Sequence, residues 1–240
     1  MKHLSRWILL FAVLSLVFFI LLVVFRIPFP PNPLMSYQDA LDILTPLVLI
    51  PIYGVLFWSA SRESPEPGWV VVFLVLAASW VEGQGMHLSA NSINNLIGNL
   101  AEARVLDVTG TDIYSLTYFY DEILGHYLWH IGVLGLAVLL ITREWRYPAG
   151  GATVWWSSIL AGVIYGFTLF AITNEGQTVW MGLPFAILIT LFGLTLGRGK
   201  LAERPVLAFF LASCLVALLL YLVWGLYWGG FPEFGEAGIL

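Results

Sequence analysis

The chain has 240 residues, of which 60% are hydrophobic and only 10% are charged. Soluble domains carry about 25% charged residues, so this composition excludes an ordinary soluble protein and predicts an integral membrane protein. The formal net charge is −5 and basic residues form no cluster, so we expect membrane lipids as partners and no nucleic acid. The single cysteine, Cys214, excludes an intramolecular disulfide and a thiolate metal cage.

The N-terminus has the charge order of a signal peptide, because Lys2 and Arg6 precede the apolar residues 7–25. This run is longer than a signal-peptide apolar region of about 7–15 residues, and no cleavage site of small residues follows it. We therefore predict a retained first transmembrane helix.

Seven apolar segments are long enough to cross a bilayer, which takes about 20 residues. They are residues 7–25, 41–60, 68–87, 118–141, 154–173, 178–196 and 206–228. Residues 88–116 are polar but have apolar residues at helical spacing. Three structures fit this pattern: a re-entrant helix, a surface helix and an extension of the third segment. The predicted fold is all-α: a polytopic seven-transmembrane-helix bundle that forms a single domain over residues 1–240.

The distribution of basic residues predicts the orientation in the membrane. With the N-terminus inside, only Arg26 and Arg104 fall on outer segments. The inner segments hold Lys2, Arg6, Arg62, Arg143, Arg146, Arg198, Lys200 and Arg204. Cytoplasmic segments carry the excess of Lys and Arg, so we predict an N-in, C-out protein of a bacterial or archaeal plasma membrane.

Three of the four histidines lie in or at the ends of apolar segments, where ionisable groups mark ion binding, proton relay or a wet cavity. Glu122, His126 and His130 recur every four residues and so share one face of a helix. Two histidines one turn apart can bind the same metal. We predict His87, His126, His130 and Asp121 as ligands of a divalent metal, Zn²⁺ before Fe²⁺, at a site facing outside.

Further polar residues of the same segments extend this predicted site. Glu82 and Glu122 are alternative fourth ligands and, with Glu175, candidate catalytic carboxylates. Glu82 and Glu175 each begin a Glu-Gly-Gln sequence. Asn91 and Asn94 follow His87 by about one and two turns, so we predict them as second-shell partners of the ligands.

Other interpretations of these residues stay open. His126 and His130 would also serve as hydrogen-bonding groups between helices, or as part of a proton or ion pathway. Asp121 and Glu122 would also suit the first turn of a helix, where the dipole stabilises acids. Residues 228–236 form either a lid over the site or a disordered tail.

Several cofactor classes are excluded. A retinal Schiff base needs a lysine inside a helix, and Lys2 and Lys200 lie at an end and in a loop. Three suitable histidines are too few for the histidine-rich di-iron membrane desaturases. His126 and His130 lie on one face of one helix, so they do not both bind one haem. A haem between His87 and either of them stays open, although the adjoining carboxylates suit a hard ion better.

The sequence Gly125-His126-Tyr-Leu-Trp-His130 resembles the His-x-x-x-His helix of the CREST superfamily, seven-helix membrane proteins that include alkaline ceramidases. The resemblance implies a zinc-dependent hydrolase of lipid amides, with His87 as the earlier histidine and Asp121 or Glu122 as the acid. The motif order differs, because the family's histidine pair lies on its last helix. The family's Ser-x-x-x-His is also missing.

The functional prediction is a metal-dependent hydrolase that acts on a lipid or another membrane-soluble substrate. A bound Zn²⁺ lowers the pKa of its water towards about 7 and polarises the scissile carbonyl. The alternative is a non-enzymatic subunit of a membrane complex, or an ion or proton transporter, that uses the same cluster. The sequence does not determine the oligomeric state.

Overall fold

The computed structural model describes residues 2–21, 27–60, 63–148, 155–197 and 199–239, and these are almost entirely helical. The only sheet in these residues is an antiparallel hairpin of β1 (Pro28–Phe29) and β2 (Asn32–Ser36). The all-α prediction is confirmed. The helices are α1 (Lys2–Phe19), α2 (Tyr37–Asp42), α3 (Leu44–Ser59), α4 (Pro67–Glu102), α5 (Asp112–Tyr118), a π-helix (Phe119–Gly125), α6 (His126–Arg146), α7 (Trp155–Glu175), α8 (Val179–Thr195), a 3₁₀ turn (Leu201–Glu203) and α9 (Pro205–Trp228).

Within the described residues, five helical segments are long and apolar enough to cross a membrane. They are Tyr37–Ser59, Pro67–Glu102, Asp112–Arg146, Trp156–Glu175 and Pro205–Trp228. Two further segments predicted to span, Leu4–Phe19 and Val179–Thr195, are apolar but shorter, and residues 22–25 of the first lie outside the described residues. Long apolar helices thus support an integral membrane protein, whereas the count of seven spans stays a prediction.

Helix α4 extends well beyond its predicted end. It runs for 36 residues, which is about 54 Å at 1.5 Å per residue and exceeds the hydrocarbon thickness of about 30 Å. Of the three alternatives for residues 88–116, extension of the third segment is therefore the one observed as far as Glu102. Helix α5 then begins at Asp112, where the Thr111 side chain accepts a hydrogen bond from the Tyr114 amide.

Glycines allow α4 and α6 to pack at short range. A Cβ atom on Gly83 would lie 2.2 Å from the Trp129 amide nitrogen, and one on Gly132 would lie 2.6 Å from the Trp80 amide nitrogen. Small residues let helix backbones approach closely in membranes, and polar side chains bond between them. Ser79 does so here by donating to the Leu128 carbonyl at 2.7 Å. This close pairing brings the histidines of the two helices together.

The rest of the core joins α1, α3, α7 and α9. The Phe11 ring lies 4.8 Å from Tyr53 and 5.3 Å from Tyr165, measured between ring centroids. Helices α7 and α9 cross closely, because a Cβ atom on Gly166 would lie 2.6 Å from the Ser213 carbonyl oxygen. Cys214 is a buried free cysteine in this core, as a lone cysteine in an apolar segment predicts.

The C-terminal end of α6 carries a second set of buried polar residues. The two carboxylate oxygens of Glu144 accept hydrogen bonds from the amides of Val206, at 3.0 Å, and Leu207, at 2.8 Å. Arg143 donates from Nε to the Phe57 carbonyl at 3.0 Å. Arg204 donates from Nη1 to the carbonyl of Glu144 at 3.0 Å. These contacts attach α6 to α3 and to the N-terminus of α9.

Candidate functional site

A π-helix leads into α6 and carries two of the predicted site carboxylates. Asp121 is only 1% exposed and Glu122 is partly exposed. Both lie inside a continuous helical segment that begins at Asp112, so their interpretation as acids at a helix N-terminus is wrong. π-Helical turns are rare and occur frequently at functional sites.

Asp121 connects α4 to the π-helix. Its Oδ1 lies 2.7 Å from Nδ1 of His87, and its Oδ2 accepts a hydrogen bond from Nδ2 of Asn94 at 2.7 Å. His87 and Asn94 are two helical turns apart and share a face because α4 continues past residue 87. The predicted association of His87, Asn94 and Asp121 is therefore present.

His126 lies beside His87, with 4.4 Å between the ring centroids. Its Nδ1 is 3.2 Å from the carbonyl oxygen of Glu122 and 3.5 Å from that residue's Oε2. The carbonyl oxygen accepts hydrogen bonds only, so Nδ1 carries the proton in this pairing. The lone pair of the neutral ring is then on Nε2.

His130 is fully buried one turn further along α6, and its ring centroid is 5.9 Å from that of His126. Its Nδ1 lies 2.7 Å from the hydroxyl of Thr178, which in turn donates to the Thr173 carbonyl at 3.3 Å. The Thr173 carbonyl also accepts the Thr178 amide at 2.9 Å. When the single hydroxyl hydrogen of Thr178 points to Thr173, Nδ1 of His130 donates to Thr178, and in the other tautomer Nδ1 accepts from it. Nε2 of His130 is buried and has no hydrogen-bond partner among the described residues.

The three histidines therefore share one pattern. In each ring, Nδ1 lies 2.7–3.2 Å from an oxygen atom: a backbone carbonyl for His126, a hydroxyl for His130 and a carboxylate for His87, where the short contact is an ion-pair distance without hydrogen-bond alignment. In a neutral ring protonated on Nδ1, Nε2 carries the lone pair. In the observed rotamers, however, the described part of the chain contains no group of three or more His, Cys, Asp or Glu side chains arranged to hold a metal ion.

Three predicted site residues do not join this cluster. Glu82 is exposed on α4, while its neighbours Gly83 and Gln84 face the interior. The side chain of Asn91 accepts a hydrogen bond from Asn95 at 3.1 Å, on the same helix. Glu175 contacts the C-terminal segment, because its Oε2 accepts a hydrogen bond from the Phe234 amide at 2.8 Å.

The sequence interpretation missed a hydrogen-bonded chain beside His87. Gln84 accepts from Nε1 of Trp80 and donates to Oδ1 of Asp42, both at 2.7 Å. Thr45 also donates to Oδ1 of Asp42, at 3.0 Å. Asp42 is close enough to His87 for their charges to interact. No sequence pattern relates Asp42 to the cluster, since it lies on a different helix.

The loop between α7 and α8 covers the two histidines of α6. A Cβ atom on Gly176 would lie 2.6 Å from Cε1 of His130 and 3.3 Å from Cδ2 of His126. Thr178, which orients His130, belongs to the same loop and was not predicted. Its only sequence signal is its position directly after the second Glu-Gly-Gln.

The C-terminal segment, residues 229–239, is docked on this loop. Asn174 donates to the Pro232 carbonyl at 2.8 Å, and Gln177 donates to the carboxylate of Glu233. Burial raises the pKa of Glu233 above its usual value of 4.5, and the hydrogen bond from Gln177 opposes that rise. These contacts attach the segment to the loop that covers His126 and His130, and the lid over the site stays a prediction.

No family model, curated protein or solved structure matches this chain. The resemblance of residues 125–130 to the CREST helix thus stays a prediction. The helix with the His pair is α6, and α7, α8 and α9 follow it, so the difference in motif order from that family is also present in the structure.

Proposed function

We propose that the protein binds one divalent transition metal, zinc before iron, through Nε2 of His87, His126 and His130. The supporting observation is the shared pattern of the three rings, in which Nδ1 lies within 3.2 Å of an oxygen atom, so that Nε2 would be the metal-binding nitrogen of each neutral ring. Metal-binding histidines are oriented in this way, with the second nitrogen donating to a carboxylate, a carbonyl or water.

The spacing of the rings agrees with this proposal. Three imidazoles on a tetrahedral ion, with Zn–N bonds of about 2.1 Å, place their ring centroids about 5 Å apart. The observed separations of 4.4 Å, from His87 to His126, and 5.9 Å, from His126 to His130, lie on either side of that value. The proposal requires side-chain rotations that bring the three nitrogens onto a common ion, because they are not arranged around one in the observed rotamers.

The proposal changes the role of Asp121 from ligand to orienting residue, since its two oxygens are engaged by His87 and Asn94. A fourth coordination position is then open to water or substrate, as in catalytic zinc sites. A metal there would activate water and polarise a carbonyl. Glu122 is partly exposed and 3.5 Å from His126, so its carboxylate would accept the proton of the attacking water.

We further propose the seven-span, N-in, C-out arrangement, with the cluster in the outer half of a bacterial or archaeal plasma membrane. It follows from the excess of basic residues on the inner segments. Impermeant thiol labelling of cysteines introduced near Glu102 and Glu233 should succeed from outside, whereas one near Lys200 should be protected. External labelling near Lys200 would refute the orientation.

The metal proposal is tested by elemental analysis of protein purified without chelator. Wild type should hold about one transition metal per chain, and His87→Ala, His126→Ala and His130→Ala should each lose most of it. His3→Ala, which changes the histidine at the start of α1, is the matched control and should keep the metal. Wild-type protein that binds no transition metal, even after incubation with Zn²⁺ or Fe²⁺, would refute the proposal.

A proton pathway is the second candidate, and the separation of the rings is the observation that favours it. The rings of His87, His126 and His130 follow one another at 4.4 and 5.9 Å without standing in ligand geometry. Intramembrane histidine chains of this kind serve as proton relays. Proton flux into liposomes by metal-free wild type, abolished in His126→Ala, would favour this function over the metal site.

A further inference from the structure

An apolar groove lies between α8 and α9 and is closed at one end by the start of the C-terminal segment. It has a volume of about 500 Å³, within the range of about 300–1,000 Å³ that is usual for ligand sites. Tyr221 forms part of its wall, and Gly229, Gly230 and Phe231 lie at one end. The aliphatic lining consists of Leu183, Leu218, Leu222 and Leu226.

A second, polar cavity adjoins the first. It has a volume of about 350 Å³ and is lined by Gln177, Val179, Trp180, Phe231 and Glu236. Phe231 lines both cavities, so the two are adjacent at this residue. The charge at this cavity is negative, because Glu236 lines it and no Lys or Arg is among its lining residues.

We propose that the two cavities form one binding site for a single membrane lipid whose headgroup carries an ammonium group. An acyl chain would occupy the groove, because α9 is apolar enough to span the membrane and the groove residues Leu222 and Leu226 are exposed on its surface. The ammonium group would lie in the polar cavity, where the Glu236 carboxylate attracts it. The exposed indole of Trp180 offers a cation–π contact.

The α7–α8 loop would connect this lipid to the histidine cluster. Gln177 and Val179 line the polar cavity, while Thr178 between them contacts His130 on the other side. The Tyr221 hydroxyl hydrogen-bonds with that of Thr173, whose carbonyl accepts from Thr178. If the bound lipid is the substrate, this inference rests on the proposed hydrolase function. Binding of the lipid itself does not require the metal.

The acyl-chain half of the proposal is tested by native mass spectrometry of the full chain in detergent, titrated with phosphatidylethanolamine. Wild type should bind one lipid tightly, and Leu222→Trp should fill the groove and abolish that binding. Leu219→Trp is the matched control: Leu219 is 59% exposed on α9, against 58% for Leu222, but does not line the groove. Leu226→Trp provides a second groove variant if Leu222→Trp fails to fold.

The headgroup preference is tested by comparing the affinity for phosphatidylethanolamine with that for phosphatidylglycerol of identical acyl chains. Wild type should prefer phosphatidylethanolamine by about two- to fivefold, the range that a solvent-accessible charge pair supplies. Glu236→Gln should remove the preference, whereas Glu102→Gln, at an exposed glutamate on α4, should retain it.

Equal affinity for the two lipids, or equal lipid binding by Leu222→Trp and Leu219→Trp, would overturn the lipid site. The result is independent of the metal proposal. His126→Ala should lose metal and keep the lipid, whereas Leu222→Trp should lose the lipid and keep the metal. A failure of one proposal is therefore distinguishable from a failure of the other.

Discussion

Helix α6 carries buried polar groups at both of its ends, and the two sets of contacts differ in one respect. At the C-terminal end, both oxygens of Glu144 accept backbone amides, and Arg143 donates to a backbone carbonyl through Nε. At the N-terminal end, Nδ1 of His126 and Nδ1 of His130 are hydrogen-bonded, whereas Nε2 of His130 is buried and has no hydrogen-bond partner in the described part of the chain.

The difference distinguishes a structural network from a candidate functional one. A buried polar atom without a partner costs stability, so buried groups are normally bonded. Glu144 satisfies two amides of the first turn of α9, which have no partner within that helix. Arg204 is an exception at this end, since its Nε has no hydrogen-bond partner among the residues that the structure describes, although Nη1 donates to two carbonyls. The unpaired nitrogen of His130 differs because it is an acceptor, and a metal ion would satisfy it.

The largest expected effect is on stability, at the C-terminal end of α6. Glu144→Ala leaves the amides of Val206 and Leu207 without an acceptor, so it should lower the free energy of unfolding by about 3–5 kcal/mol. Thermal unfolding in detergent measures this. The exposed Glu203→Ala should change it by less than about 0.5 kcal/mol. If folded Glu144→Ala also loses its metal, the contacts at the two ends of α6 are energetically coupled, which would contradict the comparison.

At the N-terminal end, Thr178→Val should act on metal binding. It removes the acceptor for Nδ1 of His130, and loss of such an orienting partner lowers metal affinity by about 10–100-fold. Competition with a chelator of known affinity measures the change. Thr195→Val, which removes an exposed hydroxyl bonded within α8, should leave affinity unchanged. Equal affinities of wild type and Thr178→Val would exclude an orienting role for Thr178.

Two glycine substitutions compare the regions directly, because each added Cβ would lie 2.6 Å from a neighbouring atom. Gly176→Ala would displace the ring of His130, whereas Gly166→Ala would push α7 away from Ser213 of α9. Overpacking costs about 1–3 kcal/mol. We expect this cost to appear as weaker metal binding for Gly176→Ala and as a lower unfolding temperature for Gly166→Ala. The reverse assignment would contradict the comparison.

The smallest effect concerns Glu233, whose pKa is raised by burial. Below the unfolded value of about 4.5 the carboxyl group is protonated in both states, and as pH rises through the higher folded pKa its ionisation weakens docking of the C-terminal segment. Hydrogen-exchange protection of residues 229–239 should therefore be lower at pH 7 than at pH 4. Glu233→Gln should reduce that difference, and Glu102→Gln should not.

Much of the fold and part of the site were predictable from local patterns. Runs of apolar residues predicted helices whose bounds match α3 and α9 closely. The length of an apolar run can be counted in the sequence without knowledge of any distant contact. The four-residue spacing of His126 and His130 predicted their shared face, and the seven-residue spacing of His87 and Asn94 did so on α4. These predictions succeeded because helical geometry relates residues within a few turns.

Tertiary structure decided which polar groups complete the cluster. The π-helix and the close approach of Gly83 to the α6 backbone bring Asp121, not Glu82, to His87. Thr178 reaches His130 only because a loop distant in sequence folds over α6, and Asp42 approaches His87 from another helix. The spacing of residues in the sequence determines which side of a helix each side chain faces. Contacts between helices depend on the packing of small residues and on the paths of loops, which no local pattern contains.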